Sequence, residues 1–508
     1  MILNKHYGCG DNRNGFYRLQ RWTSRGVTSW TFCIALVTAT LILCNGCKVG
    51  PNYQRPTVPL APAFKETTPD SWKQAQPNAA IPRGKWWEIY NDPQLNALEE
   101  QVNISNQNVL LAEAQYRQAR DQVRITRSAL FPTVSVAPSI VNSKTSATLS
   151  GRQGVNIAAA TAARTTYTAP VDVSYQADVW GNIRRSVTAA RETAQATDAD
   201  LENARLTFQA QLAEFYFELH GLDGDADLLE RTITSFERFL QLTRDRFEAG
   251  IASGADVAQA QTQLETTRAQ LIDIRVNRAQ FEHAIAILIG KPPAEVTIPR
   301  MVLKDAPPPT PEVVPSVLLE RRPDIAGAER KVAAANEQIG IAKAAYFPTV
   351  LLTGTVGLQS PNITQWFSLP SRFWSVGPQL AETIFDAGKR RATVDFNVAA
   401  YDATVATYRQ TVLTAFQQIE DQMAALHILE DEAKAQEVAV KSAENSLDLS
   451  TEQYKAGTAD YLTVITTQSI ALADERTAVD ILTRRLTASV LFVEALGGGW
   501  DTSQLPRN

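Results

Sequence analysis

Apolar and polar residues alternate without a miss from Val171 to Val179 (Val-Asp-Val-Ser-Tyr-Gln-Ala-Asp-Val). A second alternating stretch lies in the other half of the chain. There Val350, Leu352, Val356 and Leu358 share one face, and Thr353, Thr355 and Gln359 share the other. Period two over about nine residues places one face of a strand in an apolar medium and the other in water. That length is also the ~9–11 residues of a membrane-barrel strand. Alternation alone fits an ordinary two-faced sheet in a soluble sandwich better.

The rest of the chain has helical character. No proline occurs between Pro170 and Pro292 or between Pro378 and Pro506, and both stretches are rich in Ala, Leu, Gln, Glu and Arg, all strong helix formers. The pattern predicts a nearly continuous helix from Asn182 to Ala249, about 100 Å long at 1.5 Å per residue, with Gly221–Gly224 as a place for an interruption. A turn at Gly250–Asp256 then leads to a return helix from Val257 to Ile289, with Leu264, Leu271 and Ile274 as a partner-facing stripe. The second half repeats this from Arg390, turning at Gly457-Thr458-Ala459-Asp460 and returning to Leu496. A shorter helix precedes each strand region, Asp92 to about Ala129 and Val314 to about Ala345. Each ends at a Phe-Pro-Thr box (Phe131, Pro132; Phe347, Pro348), because the residue before proline is pushed out of the helical region. Read alone, these helices suit a long coiled-coil scaffold.

The two halves echo one another. Leu130-Phe131-Pro132-Thr133-Val134 returns as Tyr346-Phe347-Pro348-Thr349-Val350, Trp180–Arg185 as Phe385–Arg390, and Arg246–Gly250 as Gln453–Gly457, at offsets of 216, 205 and 207. Three echoes in the same order point to a duplication. The expected organisation is a leader at 1–46, an extended arm at 47–85, repeat 1 at 86–290, a linker at 291–315, repeat 2 at 316–497 and a tail at 498–508. Proline density keeps the linker extended.

Combining strands and helices gives a geometry. One chain offers four membrane-type strands, too few to close a barrel, and open sheet edges in lipid cost several kcal/mol per unpaired group. Copies must therefore share a barrel. Three give twelve strands, the smallest symmetric option that leaves a bore beyond the filled interior of an ~8-stranded barrel. The expected fold class is mainly α with membrane β: a trimeric twelve-stranded barrel, four strands per protomer, continued by a long α-helical barrel.

All four cysteines (Cys9, Cys33, Cys44, Cys47) fall in the first 47 residues. A basic segment carrying Arg13, Arg18, Arg21 and Arg25 precedes an apolar run from Trp30 to Cys44, which ends at Asn45-Gly46-Cys47. That run is roughly 15 residues, short of the ~20 of a spanning helix, and fits a signal-peptide core. The cut site resembles a bacterial lipobox with Gly46 before a lipidated Cys47, although Cys44 stands where Leu is usual. Cleavage takes away Lys5, the four arginines and Asp11, leaving 44 basic against 53 acidic residues. The whole chain of 508 residues has a formal charge of −5, which argues against a nucleic-acid binder.

The sequence resembles the TolC-like outer-membrane efflux family, specifically its lipoprotein branch serving resistance-nodulation-division pumps (NodT type, OprM-like). The resemblance covers essentially the whole mature chain. It is carried by Cys47-Lys48-Val49-Gly50-Pro51-Asn52-Tyr53-Gln54-Arg55-Pro56, Trp86-Trp87 with Asp92-Pro93 and Leu95, Arg321-Arg322-Pro323-Asp324-Ile325, both Phe-Pro-Thr boxes and both Ala-Gly turns. It implies a homotrimer in the bacterial outer membrane, lipid-anchored through Cys47, extending into the periplasm. It also implies docking at the helical tips to a periplasmic adaptor and an inner-membrane pump. The tips map onto Gly250, Ser253, Gly254 and Asp256 and onto Gly457, Asp460 and Tyr461, where a gate is implied. Asp256 and Asp460 are candidates for an acidic ring there, and equally for helix N-caps, where Asp is favoured.

No nucleophile elbow, phosphate loop or HExxH pattern is present, so no enzyme, cofactor or metal site is expected. His220 and His427 read as structural residues near helix ends. Asp223, Asp225 and Asp227 lack the Gly and Glu of a calcium loop and read as a solvated turn. Trp366 and Trp374 flank the second strand pair and suit an interfacial girdle. The expected function is a passive exit duct for drugs or other small molecules; a protein-secretion duct and a periplasmic coiled-coil adaptor are the alternatives.

Overall fold

The alternating stretches pair into one antiparallel sheet, and the proline-free stretches become two helical hairpins. The computed structural model describes residues 48–58, 65, 84–144, 146, 162–308, 321–500 and 505. All four cysteines, His6 and a helix start at Val314 therefore lie outside the described residues. The helices are α1 (Pro93–Ser105), α2 (Gln107–Ser128), α3 (Asn182–Glu248), α4 (Gly254–Leu288), α5 (Pro323–Ala344), α6 (Lys389–Lys455) and α7 (Tyr461–Ala495). The strands are β1 (Thr133–Val136), β2 (Ser139–Ser143), β3 (Arg164–Ala177), β4 (Thr349–Ser360) and β5 (Arg372–Ala381). α3 and α6 are each 67 residues long, and α4 and α7 each 35.

The chain forms two compact units. The first is drawn from the segment up to Tyr53, Gln122–Ala190 and Ala335–Ala400. Its sheet runs β1-β3-β4-β5, with β2 also on β3, so β1 and β2 are two pieces of one expected strand. Proline explains the break. Pro138 stands between the two pieces, and Pro170 lies on β3 between the residues that pair with them; neither can donate to a ladder. On its other side Pro170 lies opposite Gly357, where a Cβ would come 2.8 Å from the proline Cα.

β3 ends at Ala177, two residues short of the alternating pattern, because Asp178 turns to a different task. Its carboxylate accepts from the Ile183 and Arg184 amides and from Arg184 Nε (3.0, 2.9 and 3.0 Å), fixing the start of α3. Asp386 makes the matching bonds to Gly388 N, Arg390 N and Arg390 Nε before α6. The boxes find each other as well: Trp180 stacks on Phe347 at 4.6 Å and donates Nε1 to the Pro348 carbonyl.

The first arm residues are seated in this unit. Arg185, fully buried, donates to the Val49 carbonyl (2.6 Å) and to Glu337 (2.8 Å), which also pairs with Lys48 (3.3 Å). Gly50 sits at φ +106° against Gly340 and leaves no room for a Cβ.

The second unit, drawn from Gln54–Asp121, Arg191–Ala334 and Tyr401–Asn508, holds the main apolar core. Trp86, Trp87, Leu95, Leu212, Leu219, Ile285 and Val490 are buried together there. Asp92 caps α1 through Gln94 N and Leu95 N and accepts from Tyr216 Oη at 2.6 Å. The single helix expected from Asp92 to Ala129 is two. Asn106 breaks it by turning its side-chain oxygen to the amides of Asn108 and Val109 and its Nδ2 to the Leu288 carbonyl, a cap in place of a helical residue.

The glycines at 221 and 224 do not interrupt α3. They let α7 approach: a Cβ on Gly221 would collide with Thr483, and one on Gly224 would come 3.3 Å from Val479. Neither His220 nor His427 is near a helix end; both lie mid-helix, in α3 and α6. The acidic run is likewise helical. Asp225 pairs with Arg476 at 2.9 Å and Asp227 with Arg231 at 3.2 Å. Asp223 is buried, with His220 Nδ1 at 3.0 Å, Arg278 Nε at 2.7 Å and the Met301 amide at 3.1 Å. The stretch after Gly290 is extended beyond a short turn at Pro293–Glu295, yet it is pinned. Ile298 is buried, its amide donates to Glu282 and its carbonyl accepts from Arg278. Arg322 of the Arg-Arg-Pro-Asp motif grips Asp324, the Ala495 carbonyl at the end of α7, and Gln418.

Burial alone would raise the Asp223 carboxyl, but the hydrogen bonds from His220, Arg278 and Met301 N outweigh it and hold it below its ordinary range. A depressed carboxylate contributes stability above its unfolded-state value and loses it as pH falls through the folded one. Asp223→Ala, which removes the acceptor of Arg278 Nε and leaves the guanidinium to Glu282 at 3.6 Å and the Ile298 carbonyl at 2.7 Å, is therefore expected to cost about 1.5–3 kcal/mol at neutral pH. The cost should shrink in acid. Denaturant titration of the helical circular-dichroism signal in detergent at two pH values checks both.

Candidate functional site

Two surfaces carry the features that point to a function: the faces of the sheet in the first unit, and the hairpin ends in the second. On the sheet, the register gathers the apolar residues into cross-strand rows. Val136, Val171, Val356 and Trp374 form one row, and Val134, Val173, Gly354 and Val376 the next. Tyr175, Leu352 and Pro378 form another. The opposite face carries Ser135, Asp172, Thr355 and Ser375 in one row and Thr133, Ser174, Thr353 and Gly377 in another.

The apolar face is uncovered in a single chain: Trp374 and Val376 are each 75% exposed, and Leu380, Val134, Val136, Ile140 and Val356 are also open. Each large apolar side chain left in water forgoes ~1.5–3 kcal/mol of burial. Summed over this face, the loss is comparable to the ~5–15 kcal/mol that holds a domain together. The face is therefore built for an apolar surrounding. Among the described residues no helix is long and apolar enough to cross a membrane.

The tryptophans differ in placement. Trp374 lies within β5, on the apolar face opposite Val356. Trp366 precedes the strand, packs 5.5 Å from Tyr167 and donates Nε1 to the Leu358 carbonyl. At its two edges, β1 with β2 and β5, the sheet has no further partner among the described residues.

In the second unit, both hairpins close alike. Gly250 and Gly457 each take φ +75°, a left-handed position open to glycine at little cost. The Ile251 amide returns to the Arg246 carbonyl and the Thr458 amide to that of Gln453. The return helices then begin on different caps. Ser253, the cap, and Asp256, in the first turn, form a reciprocal capping box at the start of α4, where Gly254 is the first residue. Asp460 caps α7, accepting from the Thr463 amide at 3.0 Å and from the Thr463 hydroxyl. Those bonds hold the Asp460 carboxyl below its ordinary range.

The two hairpin ends also touch, through contacts the pattern did not foretell. Phe236, Leu240 and Leu264 of the first are buried with Tyr454, Tyr461 and Val464 of the second. Arg246 lies over the Tyr454 ring at 4.5 Å and donates to the Tyr454 carbonyl at 2.7 Å. The Tyr454 and Tyr461 rings are 5.8 Å apart, and burial pushes the Tyr461 phenol up to about 12. The one signal in the sequence was a mismatch: Arg246 aligns with Gln453 in the repeat, so only one hairpin carries the arginine.

The comparisons with known proteins follow this geometry. Residues 98–291 and again 314–498 match the family model described as outer membrane efflux protein. The chain is 31% identical over 468 residues to the probable efflux pump outer membrane protein TtgC of Pseudomonas putida, covering 91% of this chain and 95% of the relative. It is 31% identical over 476 residues to the outer membrane protein OprJ of Pseudomonas aeruginosa, covering 92% and 95%. The solved outer-membrane channel OprN superposes with a TM-score of 0.82 at 27% identity, covering 89% of this chain and all of that one.

The faces of β3 make an expectation that adjacent residues can check. In lipid bilayers, Ser174→Cys is expected to react with a membrane-impermeant maleimide at least about tenfold faster than Val173→Cys, because the period of two puts them on opposite faces. Equal rates, read by mass shift, would contradict a lipid-facing Val173.

Proposed function

The chain belongs to the outer membrane efflux protein family and is the outer-membrane channel of an efflux pump, and we propose that it acts as a homotrimer whose sheets close a twelve-stranded barrel, continued by an α-helical barrel through the periplasm. One observation carries this reading: a four-strand-wide sheet with an apolar face and two edges without a partner among the described residues. Backbone groups left unpaired in lipid cost several kcal/mol each, and joining the β5 edge of one copy to the β1–β2 edge of the next removes every edge. A periplasmic coiled-coil adaptor would have no use for such a sheet.

In this reading the duct is passive. Energy and substrate choice come from an inner-membrane pump of the resistance-nodulation-division type, reached through a periplasmic adaptor that docks at the hairpin ends. The cargo is drugs or other small molecules. Residues 1–46 are a signal peptide, Cys47 is the lipidated N-terminus held in outer-membrane lipid, and 47–85 form the arm. The halves 86–290 and 316–497, joined by 291–315 and followed by the tail at 498–508, are two copies of one unit. Support for the duplication comes from the two family matches and from helices of 67 and 35 residues in each half.

The gate lies at the hairpin ends. Gly250 and Gly457 turn the chain, Ser253, Gly254 and Asp256 start one return helix, and Asp460 and Tyr461 start the other. Arg246 holds the two ends together by its bond to the Tyr454 carbonyl, a hold that opening must break.

Native mass spectrometry of detergent-extracted protein is expected to give three chains with acylated N-termini; a stable single chain that stays soluble without detergent would overturn the reading. In planar bilayers, Arg246→Ala is expected to raise the resting conductance severalfold, since a charge-assisted hydrogen bond contributes about 1.5–3 kcal/mol. Asp460→Ala should raise ion leak if its carboxylate lines the gate, and unchanged conductance would leave it a helix cap alone.

A further inference from the structure

Among the described residues the polar face of the sheet is neutral apart from two. Its rows are built from hydroxyls and amides, among them Ser135, Ser174, Thr353, Thr355, Ser375 and Gln379. Arg164 stands at the first position of β3. Asp172 stands eight residues further along, with its neighbours on this face Thr355 and Ser135. Eight residues of strand span about 26 Å, some three Debye lengths at physiological salt, where that length is ~8 Å. Arg164 therefore does not neutralise Asp172. Among the described residues no basic side chain forms an ion pair with it, while Thr355 Oγ1 donates to its Oδ1 at 2.6 Å and fixes the carboxylate on the polar face.

We propose that Asp172 is a charge-selectivity residue of the channel, one carboxylate per copy, forming a ring of three inside the membrane barrel. This inference rests on the three-copy reading. An ionisable side chain on a membrane strand is tolerated where it faces water, and a ring of carboxylates in a pore favours cations over anions. The ring is separate from the acidic residues at the hairpin ends, which belong to the second unit.

The size of the effect follows from the dimensions. Twelve strands ~4.8 Å apart and tilted by 35–45° place the backbone about 12 Å from the axis and three inward-facing carboxylates about 15 Å from one another. At physiological salt each is screened within ~8 Å and the centre of the bore is nearly field-free; at 0.01 M salt the Debye length of ~30 Å spans the bore. The ring thus sorts small ions and charged solutes that travel near the wall, and its influence grows as salt falls.

The test is the reversal potential of single channels of the full-length, detergent-purified trimer in a KCl gradient. Asp172→Asn keeps the shape and the acceptor for Thr355. It is expected to lower the potassium-to-chloride permeability ratio by about twofold at low salt, with the difference from the parent fading as the Debye length shrinks at high salt. Asp172→Lys should move the ratio further toward chloride. Channels of three chains in which Asp172→Asn leaves the ratio unchanged at low salt would overturn the ring and leave the trimer standing. Parent protein that forms neither three-chain particles nor channels would overturn the trimer and the ring with it.

Discussion

A backbone amide in hydrocarbon has no water to turn to, and this constraint organises the protein. Four strands satisfy one another internally and leave two rows of donors and acceptors at the sheet edges. In the proposed trimer, closure by other copies removes the rows, and the apolar rows from Val134 to Leu380 meet lipid where a single chain leaves them open. Two prolines at the β3 ladder with β1 and β2 obey the same rule. Pro138 and Pro170 have no amide hydrogen, and they lie near each other across β3 and its neighbour, so the ladder is interrupted at one place and stays intact above and below it.

Polar groups inside the units are treated with similar economy. Arg185 is buried but divides its hydrogen bonds between Glu337 and the Val49 carbonyl, so the charge that fixes the arm is itself neutralised. Asp223 gathers a histidine, an arginine and a backbone amide. The economy is incomplete: Arg185 Nη2 and His220 Nε2 are buried without a hydrogen-bond partner among the described residues, and so is the whole Glu99 carboxyl. The Glu99 carboxyl is fully buried with neither oxygen hydrogen-bonded among the described residues, and burial pushes its ionisation well above the ordinary carboxylate range.

The elements were legible because they follow from periodicity and from proline. Strict alternation marked β3 and β4, and the long proline-free stretches marked α3 and α6 to within a few residues. Side-chain chemistry that overrides local pattern was harder to see. Asn106 splits a helix because a cap and a tertiary bond to Leu288 compete with continuing the turn. The glycines of α3 resemble a breaker in sequence and serve close helix packing in space. Asp223, Asp225 and Asp227 look solvated until the arginines that meet two of them, Arg278 and Arg476, arrive from 55 and 251 residues away. At the hairpin ends the glycines and aspartates were readable from turn chemistry. The hold of Arg246 on Tyr454 was not, since it joins residues 208 apart.

The matched helix lengths constrain how such a protein can change. α3 and α6 have 67 residues each, and their returns 35. Adding residues to one alone would displace its turn by ~1.5 Å apiece along the axis and carry Arg246 away from the carbonyl it holds. Reach can therefore be lengthened or shortened only in tandem, both halves altering by the same number of turns, so the span of the duct is inherited as a single quantity written in two places.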